Sequence, residues 1–438
     1  MRRGGLIVGA LCLPLLQSCA ALHVTAPQSP ALKALERRVG TIAYMGVDGN
    51  VHTMDQAGGS RRDVTADAVL PEDSSAASRF YQYPVWSPDG SILAYVGVQR
   101  TADSSPDHYS VWTSTLKDAR AVQVFRSDVR VPRLISWAPD SSRLVFVTAA
   151  DMPGEELDSV PPRGGEVARL GEGLAFAWRW QRSASSLAVH AGSGVAGTPR
   201  ERVDVLNATS GEIERDIVLT PGAFEAPAWL RDGHDIIVVA RNDTTSLLYR
   251  ADLSGQRGRT LLSVPGSTTM DISPDGRHLA YDSETFVGTE AGSHLSVLDL
   301  AGTSRGGGTL PKPRVLSGGD FVVAFFWSPN GDSIAYLAPS TSPSASATDG
   351  FSFLLKVVRV GTGALRTVAT FRPSPFFIGL VREFGQYAQS VRLWSPDSRF
   401  LVYSEVDSTG PGIMVAYADE AIAPRRIADG LMATWSPQ

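Results

Sequence analysis

A short turn-and-strand motif recurs along this chain and limits what the chain can fold into. Its clearest copy is "YPVWSPDGSILAYVG", which starts at Tyr83. Ser87, Pro88, Asp89 and Gly90 are the residue types of a type I turn, because proline fixes φ at the second position and glycine is common at the fourth. The continuous apolar run after the turn predicts a short strand that is buried on both faces.

This motif occurs eight times, and in most copies a tryptophan precedes the turn. The residues at that position are Trp86, Trp137, Trp178, Trp229, Ile272, Trp327, Trp394 and Trp435. Their spacing of 41 to 67 residues leaves room for about four strands per copy, which is typical of propeller blades. We therefore predict an all-β protein, an eight-bladed β-propeller. Seven blades is the alternative, because the third copy, "AFAWRWQRSASSL", lacks Pro-Asp-Gly.

The two ends of the chain complement each other. The turn at Trp435 has no strand after it, whereas the strand "GTIAYMG", which starts at Gly40, has no turn before it. Joined, they make one complete copy, so we predict a closing blade that is shared by N- and C-terminal strands. Such pairing removes exposed strand edges that otherwise invite aggregation. The predicted propeller domain covers residues 40–438.

These motifs resemble the TolB-like, WD40-like propeller repeats, and the resemblance covers roughly residues 40–438. The resemblance implies a propeller fold but is weak on function. The family's namesake is, as the resemblance implies, a six-bladed periplasmic protein with an extra α/β domain that binds envelope proteins. This chain departs from it in its predicted lipid anchor, its larger number of repeats and its lack of sequence for an extra domain. The namesake's role is therefore not carried over.

The N-terminus has the pattern of an export signal. Arg2 and Arg3 precede a short apolar run that ends in Leu16-Gln17-Ser18-Cys19. These four residues resemble a bacterial lipobox, in which the cysteine is acylated. We predict a lipoprotein signal peptide over residues 1–18, lipid attachment at Cys19 and a tether over 19–39. The expected location is the bacterial cell envelope, anchored to a membrane through Cys19. The alternative is a plain secretory signal with an incidental cysteine.

Composition excludes several classes of function. The net charge is −5 and the body of the chain has no basic run, so nucleic-acid binding has little support. Cys12 and Cys19 are the only cysteines, which leaves none for a disulfide or a thiolate metal site in residues 40–438. The seven histidines show no metal-ligand spacing. We therefore expect no metal and no cofactor.

Two motifs suggest catalysis but have simpler explanations. Aspartates recur at one position of the turn, at Asp89, Asp140, Asp232, Asp275 and Asp397. They are predicted to stabilise the turns, as Asn330 does in its own copy. The sequence "GTSRG", Gly302 to Gly306, matches a nucleophile elbow, but no histidine follows His294 and a glycine-rich loop surrounds it. The sequence thus predicts no catalytic residue and no enzyme.

Insertions between repeats are the candidate binding segments. Residues 372–393, "RPSPFFIGLVREFGQYAQSVRL", are too apolar for a solvated connection. They form either a lid on the propeller or an aromatic patch for a partner. The candidate partner-binding residues are Phe376, Phe377, Phe384 and Tyr387. We also predict an acidic surface loop over Met152 to Glu166 and a low-complexity loop over Ser340 to Gly350.

Three functional hypotheses follow from these features. The first is a non-enzymatic, membrane-anchored scaffold that binds a protein of the cell envelope. The second is an extracytoplasmic binding protein for a cell-wall glycan or peptide, with the mouth of the propeller channel as the pocket. The third is a hydrolase or lyase that uses carboxylates in the channel. Aromatic and carboxylate groups that converge at the channel mouth favour the second hypothesis.

Overall fold

The structure is a computed structural model. It describes residues 39–71, 76–101, 107–118, 120–149, 154–192, 201–217, 221–222, 224–242, 245–253, 258–287, 290–301, 312–340 and 351–438. The predicted signal peptide, Cys19 and nearly all of the tether lie outside these residues, as do the "GTSRG" motif and residues 341–350.

The described chain is built almost entirely of β-strands. In chain order they are β1 (Ile42–Gly46), β2 (Val51–Met54), β3 (Arg62–Asp63), β4 (Ser78–Trp86), β5 (Ile92–Arg100), β6 (His108–Thr115), β7 (Arg120–Ser127), β8 (Val131–Trp137), β9 (Leu144–Ala149), β10 (Glu155–Val160), β11 (Ala168–Gly173), β12 (Phe176–Trp180), β13 (Ser186–Ala191), β14 (Arg202–Asn207), β15 (Ile213–Asp216), β16 (Ala228–Trp229), β17 (Asp235–Asn242), β18 (Thr245–Asp252), β19 (Arg259–Pro265), β20 (Met270–Ile272), β21 (His278–Tyr281), β22 (Glu284–Val287), β23 (Glu290–Ser293), β24 (Ser296–Asp299), β25 (Arg314–Val315), β26 (Ala324–Trp327), β27 (Ser333–Pro339), β28 (Phe353–Arg359), β29 (Leu365–Phe371), β30 (Phe400–Asp407), β31 (Gly410–Tyr417) and β32 (Arg425–Trp435).

These strands form a β-propeller of seven blades. Blades 1 to 4 are the four-stranded sheets β4–β7, β8–β11, β12–β15 and β16–β19. Blade 5 comprises β20, β21, β24 and β25, with the hairpin β22–β23 beside it, and blade 6 comprises β26–β29. Blade 7 has six strands in the order β3-β2-β1-β32-β31-β30. The all-β propeller is therefore confirmed, whereas the count of eight blades is wrong and the alternative of seven is right.

One strand explains why eight repeats fill seven blades. The N-terminal half of β32 pairs with β31, from Arg425 to Asp429, and its C-terminal half pairs with β1, from Gly430 to Trp435. The last two repeats are thus joined into one sheet by an uninterrupted strand of 11 residues. The pairing of Ile42 with Trp435 confirms that N- and C-terminal strands close the ring together.

The repeat itself is preserved in all eight copies within the described residues. In each copy the residue before the turn pairs with an apolar residue of the following strand. The pairs are Trp86–Leu93, Trp137–Leu144, Trp180–Leu187, Trp229–Ile236, Ile272–Leu279, Trp327–Ile334, Trp394–Leu401 and Trp435–Ile42. In the third copy the signature residue is Trp180, and our assignment of Trp178 to that position is wrong. Two tryptophans separated by one residue made the sequence ambiguous there.

The signature tryptophans connect neighbouring repeats. In five of them the indole Nε1 donates to the backbone carbonyl just before the preceding copy's signature residue. The bonds run from Trp86 to Thr434 (3.4 Å), Trp137 to Val85 (3.1 Å), Trp229 to Arg179 (3.0 Å), Trp327 to Asp271 (3.3 Å) and Trp394 to Phe326 (3.0 Å). These bonds link each of the five tryptophans to the first strand of the preceding repeat.

The repeated aspartates act within their turns, as predicted. Asp275 accepts a hydrogen bond from the Ser273 hydroxyl at 2.6 Å and another from the Arg277 backbone N–H at 3.1 Å. Asp89 and Asp397 accept the matching bonds in their turns, and Asn330 does the same in its copy. Asp140 and Asp232 accept bonds from backbone N–H groups of their own turns. The aspartates are thus bound into separate turns.

The predicted acidic loop over Met152 to Glu166 is partly wrong. Residues 155–160 form β10, an inner strand of blade 2, and Leu157, Ser159 and Val160 in it are fully buried. The sequence "EELDSV" is mostly polar, yet both faces of the strand are buried: Leu157 and Ser159 lie on one face, and Asp158 and Val160 on the other. Tertiary pairing with β9 and β11 overrides the charge pattern.

Two short helices complete the described fold. Helix α1 spans Pro375–Arg382 and helix α2 spans Phe384–Tyr387, both within the predicted insertion 372–393. Neither of them, nor any other helix in the described ranges, is long and apolar enough to cross a membrane.

Candidate functional site

The insertion between blades 6 and 7 folds into a compact lid, which we define as residues 374–390. Ser374 caps helix α1, and its hydroxyl accepts a hydrogen bond from the backbone N–H of Phe377 at 3.1 Å. Pro375 occupies the first helical turn, where its missing N–H costs nothing. Phe377, Leu380 and Val381 form the buried face of the helix at the spacing of one helical stripe.

The lid contacts the first strands of several blades. Tyr83 of β4 lies against Phe376 and Tyr387, with ring centroids 5.8 and 6.0 Å away. Phe384 lies against Phe325 of β26, with a ring centroid distance of 5.2 Å. The first strands of propeller blades surround the central channel. A segment that meets the first strands of blades 1 and 6 therefore lies over that channel.

Polar contacts hold the same segment to blades 2 and 3. The Arg133 guanidinium of β8 contacts Glu383 at 2.9 Å. Gln386 accepts a hydrogen bond from the backbone N–H of Trp178 at 2.9 Å, and Gln389 donates to the carbonyl of Trp178 at 2.8 Å. The two glutamines satisfy the edge of β12 in the way a neighbouring strand does.

The four predicted partner-binding residues all lie in the lid and face the propeller. Phe377, Phe384 and Tyr387 are buried, and Phe376 is partly buried against Tyr83. The segment therefore adopts the lid arrangement in this structure, and these four rings do not form an exposed aromatic patch. Ile378 is the exposed large apolar residue of helix α1.

Beneath the lid is a cavity of about 640 Å³, lined by residues of blades 2 to 6 and of both helices. Its size lies within the range of small-molecule sites, roughly 300–1,000 Å³. Five aromatic rings line it: Phe176, Phe224, Phe351, Phe353 and Phe384. A largely apolar wall of this kind favours a ligand with an apolar or aromatic body.

The cavity mouth holds exposed aromatic side chains. Phe224 and Phe351 are 41% and 53% exposed, and they are the two exposed aromatic residues among the large hydrophobic side chains of the described surface. Both line the same cavity, together with the exposed Ile378. Scattered single apolar residues on a surface need no explanation, but a group at one cavity mouth marks a binding site.

Charged side chains also converge in this cavity. Its walls carry four carboxylates, Glu155, Glu225, Asp282 and Glu383, and two guanidinium groups, Arg133 and Arg382. Arg133 forms ion pairs with both Glu155 and Glu383, so it joins the wall of blade 2 to the lid. Burial raises the pKa of Glu155, against the opposing effect of Arg133.

The carboxyl of Glu225 also lines the cavity, and its environment favours the protonated form. Burial raises its pKa from 4.5 to about 8, and the negative charge of Asp282 adds to this effect. A hydrogen bond from Thr269 and the charge of Arg179 act in the opposite direction. The lid touches this carboxyl directly, because a Cβ placed on Gly385 would lie 2.7 Å from its Oε2 atom. Perturbed carboxyls in clefts are frequent at functional sites.

Several of these residues could not be identified from the sequence. Phe224 and Glu225 occur in "PGAFEAPAWL", which reads as an ordinary connection before the fourth signature. Glu155 lies in the segment that we predicted to be a surface loop. Chain folding brings these residues, Asp282 and the lid together from separate blades. Within the described ranges, no group of three or more histidine, cysteine, aspartate or glutamate residues is placed to hold a metal ion.

Comparison with solved structures shows likeness of fold at low identity. An oligogalacturonate lyase in complex with manganese aligns with a TM-score of 0.52 and 13% identity, over 88% of this chain and 99% of its own. The oligogalacturonate lyase of Vibrio parahaemolyticus aligns with a TM-score of 0.51 and 12% identity, over 88% and 98%. TolB from Acinetobacter baumannii gives a TM-score of 0.39 and 16% identity, over 78% and 82%.

No protein-family model matches the sequence, and none of the curated proteins matches it. Identities of this size show a shared fold and carry no activity to this chain.

Proposed function

We propose that this protein is an exported, membrane-anchored propeller of the bacterial cell envelope that binds a ligand in the cavity beneath its lid. The observation that carries the proposal is the convergence of aromatic and carboxylate side chains in one cavity whose mouth holds Phe224 and Phe351. This arrangement corresponds to the second sequence hypothesis. We propose binding and not catalysis as the role of the cavity.

The character of the cavity limits its ligands. Burial of apolar ligand surface against an apolar wall stabilises the complex by about 25 cal/mol per Å² of surface removed from water. Four carboxylates against two guanidinium groups disfavour a polyanion. The activity of the structurally similar oligogalacturonate lyases is therefore not proposed for this chain.

Binding of an uncharged, apolar fluorescent dye such as N-phenyl-1-naphthylamine tests this function. Phe224→Ser and Phe351→Ser are expected to weaken binding of the uncharged dye at least fivefold. Val315→Ser is the matched control, because Val315 is 59% exposed and does not line the cavity. Equal dye affinity in all four proteins would contradict a binding site at this mouth.

Anchoring rests on the sequence around Cys19 and needs its own experiment. We expect metabolic labelling with a radioactive fatty acid to mark the wild-type chain and not the Cys19→Ser variant. Cys12→Ser is the control, since bulky Leu11 precedes Cys12 and the lipobox pattern does not fit there. Recovery of the Cys19→Ser variant in the membrane fraction, at the wild-type level, would contradict the anchor.

A protein-interaction scaffold is the second candidate function. It is favoured by the exposed apolar group of Phe224, Phe351 and Ile378 at the cavity mouth, which a partner surface can cover. In-cell crosslinking of wild type and of the Ile378→Ser variant separates the two functions. A dominant envelope partner that is lost in this variant while the uncharged dye still binds with wild-type affinity supports the scaffold, because Ile378 is the exposed apolar residue of helix α1 at the cavity mouth.

A further inference from the structure

Two buried polar atoms in the cavity have no hydrogen-bond partner within the described residues. One is Oε2 of Glu155, whose Oε1 is paired with Arg133; the backbone N–H of Phe176 also approaches this carboxylate, but among the described residues Oε2 has no partner with hydrogen-bond geometry. The other is Nε2 of Gln386, whose Oε1 is bonded to the backbone N–H of Trp178. Both side chains are more than nine-tenths buried, and both line the cavity. A buried polar atom without a partner is costly, so such atoms call for an explanation.

A ligand that satisfies both atoms must carry one hydrogen-bond donor and one hydrogen-bond acceptor. Oε2 of Glu155 is an acceptor, so it requires a donor on the ligand. Nε2 of Gln386 is a donor, so it requires an acceptor such as a carbonyl oxygen. The orientation of Gln386 follows from its neighbour, because the backbone N–H of Trp178 can bond only to the amide oxygen.

Glu225 adds the charge that selects the donor. It forms no ion pair with a described residue, and the groups that face it are Asp282, Thr269, Arg179 and Gly385 of the lid. Arg179 forms an ion pair with Asp271, with 2.7 Å between the guanidinium nitrogen and the carboxylate oxygen. A cation on the ligand beside Glu225 and Asp282 would stabilise the ionised form of Glu225 and displace the proton that this carboxyl keeps at pH 7.

We propose that the cavity binds the free N-terminus of a peptide or amino-acid derivative with an apolar first side chain. Glu225 and Glu155 receive the α-ammonium group, Gln386 donates to the adjacent carbonyl oxygen, and the phenylalanine rings surround the side chain. This inference rests on the proposed function, because it assigns a ligand class to the same cavity. An α-ammonium beside a carbonyl supplies both the donor for Glu155 and the acceptor for Gln386.

Three probes test the proposal by isothermal titration calorimetry at pH 7: Phe-Ala-Ala amide, its N-acetylated form and phenylalaninamide. We expect the free peptide to bind at least tenfold more tightly than the acetylated one. Glu225→Gln is expected to remove that difference, while Glu212→Gln, at an exposed position outside the cavity, keeps it. Binding of the free peptide is expected to release protons in the wild type and not in Glu225→Gln.

The probes also distinguish the two sources of the ligand. Equal affinities of phenylalaninamide and the free peptide assign a free amino-acid derivative, and tighter binding of the peptide assigns a peptide N-terminus. Either result supports the shared chemistry. Equal binding of free and acetylated peptides, or discrimination that survives in Glu225→Gln, overturns it.

Failure of this inference can be separated from failure of the proposed function. If the uncharged dye binds in a Phe224-dependent way and no ammonium probe binds, the cavity is a binding site and the ligand class is wrong. If neither the dye nor the probes bind, both the inference and the proposed function are overturned. A thermal unfolding scan of Glu225→Gln checks that the variant is folded in each case.

Discussion

Gln386 of the lid and Trp178 of β12 are joined by a hydrogen bond of 2.9 Å, from the buried backbone N–H of Trp178 to the side-chain oxygen of Gln386. These residues are 208 positions apart in the chain. The bond replaces a missing strand at the inner edge of blade 3, and it fixes one end of the lid over the channel. The amide of Gln386 thus holds the lid over the cavity together with the Arg133–Glu383 ion pair and the bond from Gln389 to the Trp178 carbonyl.

Replacing Gln386 by alanine should loosen the lid and destabilise the protein. The change leaves the Trp178 N–H buried without a partner, which costs about 1–3 kcal/mol. We expect this loss of unfolding free energy in urea denaturation, together with faster hydrogen exchange at the Trp178 amide. Gln389→Ala is the matched control, because a backbone carbonyl tolerates loss of a partner better than an N–H does. Equal effects of the two variants would contradict the assignment of Gln386 as the anchor.

Stability should decrease with rising pH because of Glu225. Its pKa is raised from 4.5 to about 8 in the folded state, so its contribution is fully present below pH 4.5 and is lost as the pH rises through 8. Glu225→Gln removes this loss. A shift of one pKa unit corresponds to about 1.4 kcal/mol, and relaxation and water access reduce the effect. We therefore expect the unfolding free energy of the variant at pH 8 to exceed that of the wild type by about 1–3 kcal/mol.

The check is the unfolding free energy of wild type and Glu225→Gln at pH 5 and pH 8. We expect the two proteins to be nearly equal at pH 5 and the variant to be more stable at pH 8. A constant difference across this range would show that the carboxyl does not titrate within it. A stable variant also makes the peptide-binding experiment interpretable.

The third repeat contains a correctable backbone strain at Ala184. The fourth turn position has positive φ throughout: 71° at Gly90, 75° at Gly331 and 62° at Ala184. A non-glycine residue in this region costs about 1–2 kcal/mol, and glycine relieves the cost. Ala184→Gly should therefore raise the unfolding free energy by about 0.5–1 kcal/mol, after the entropy cost of glycine is included.

Gly331→Ala provides the reverse control for this prediction. A Cβ at Gly331 meets nothing closer than 3.8 Å, so the change tests backbone strain without a steric clash. We expect a loss of about 1 kcal/mol in the same denaturation experiment. Ser141 and Ser398 occupy the same turn position, but their hydroxyls accept hydrogen bonds from the backbone N–H groups of Asp89 and Asn330. Glycine at these two positions would lose those bonds and should not stabilise the protein.

Closure of the ring should depend on the last residues of β32. Deleting residues 431–438 removes the pairing with Ile42 to Met45 and the bond in which the Ser436 hydroxyl accepts from the Thr41 N–H at 2.9 Å. The edge of β1 then becomes exposed, and exposed edges promote aggregation. We expect light scattering and size-exclusion chromatography to show aggregates. A chain shortened only by residues 437–438 should remain monodisperse, since the β1–β32 pairing is kept.

The turns and strands of the repeat could be predicted from the sequence because they follow from preferences of residues close together in the chain. Ser-Pro-Asp-Gly dictates a turn, the apolar run after it dictates a buried strand, and complementary ends dictate a shared closing sheet. Each of these follows from backbone preferences and burial over a few residues. The turn role of Asp275 and the pairing of Ile42 with Trp435 could therefore be derived from the sequence alone.

The number of blades and the site depended on distances between residues that are remote in the chain. Whether β32 breaks into two strands or runs on is decided by its partners β31 and β1, and nothing in its own residues signals the outcome. Glu155, Glu225 and Gln386 become one site because the ring brings blades 2 and 4 to the lid. The sequence by itself determined the repeat and the propeller class, since those rest on local conformation. Only the tertiary structure decided which polar groups would be buried together, because burial and charge proximity arise from the closed ring.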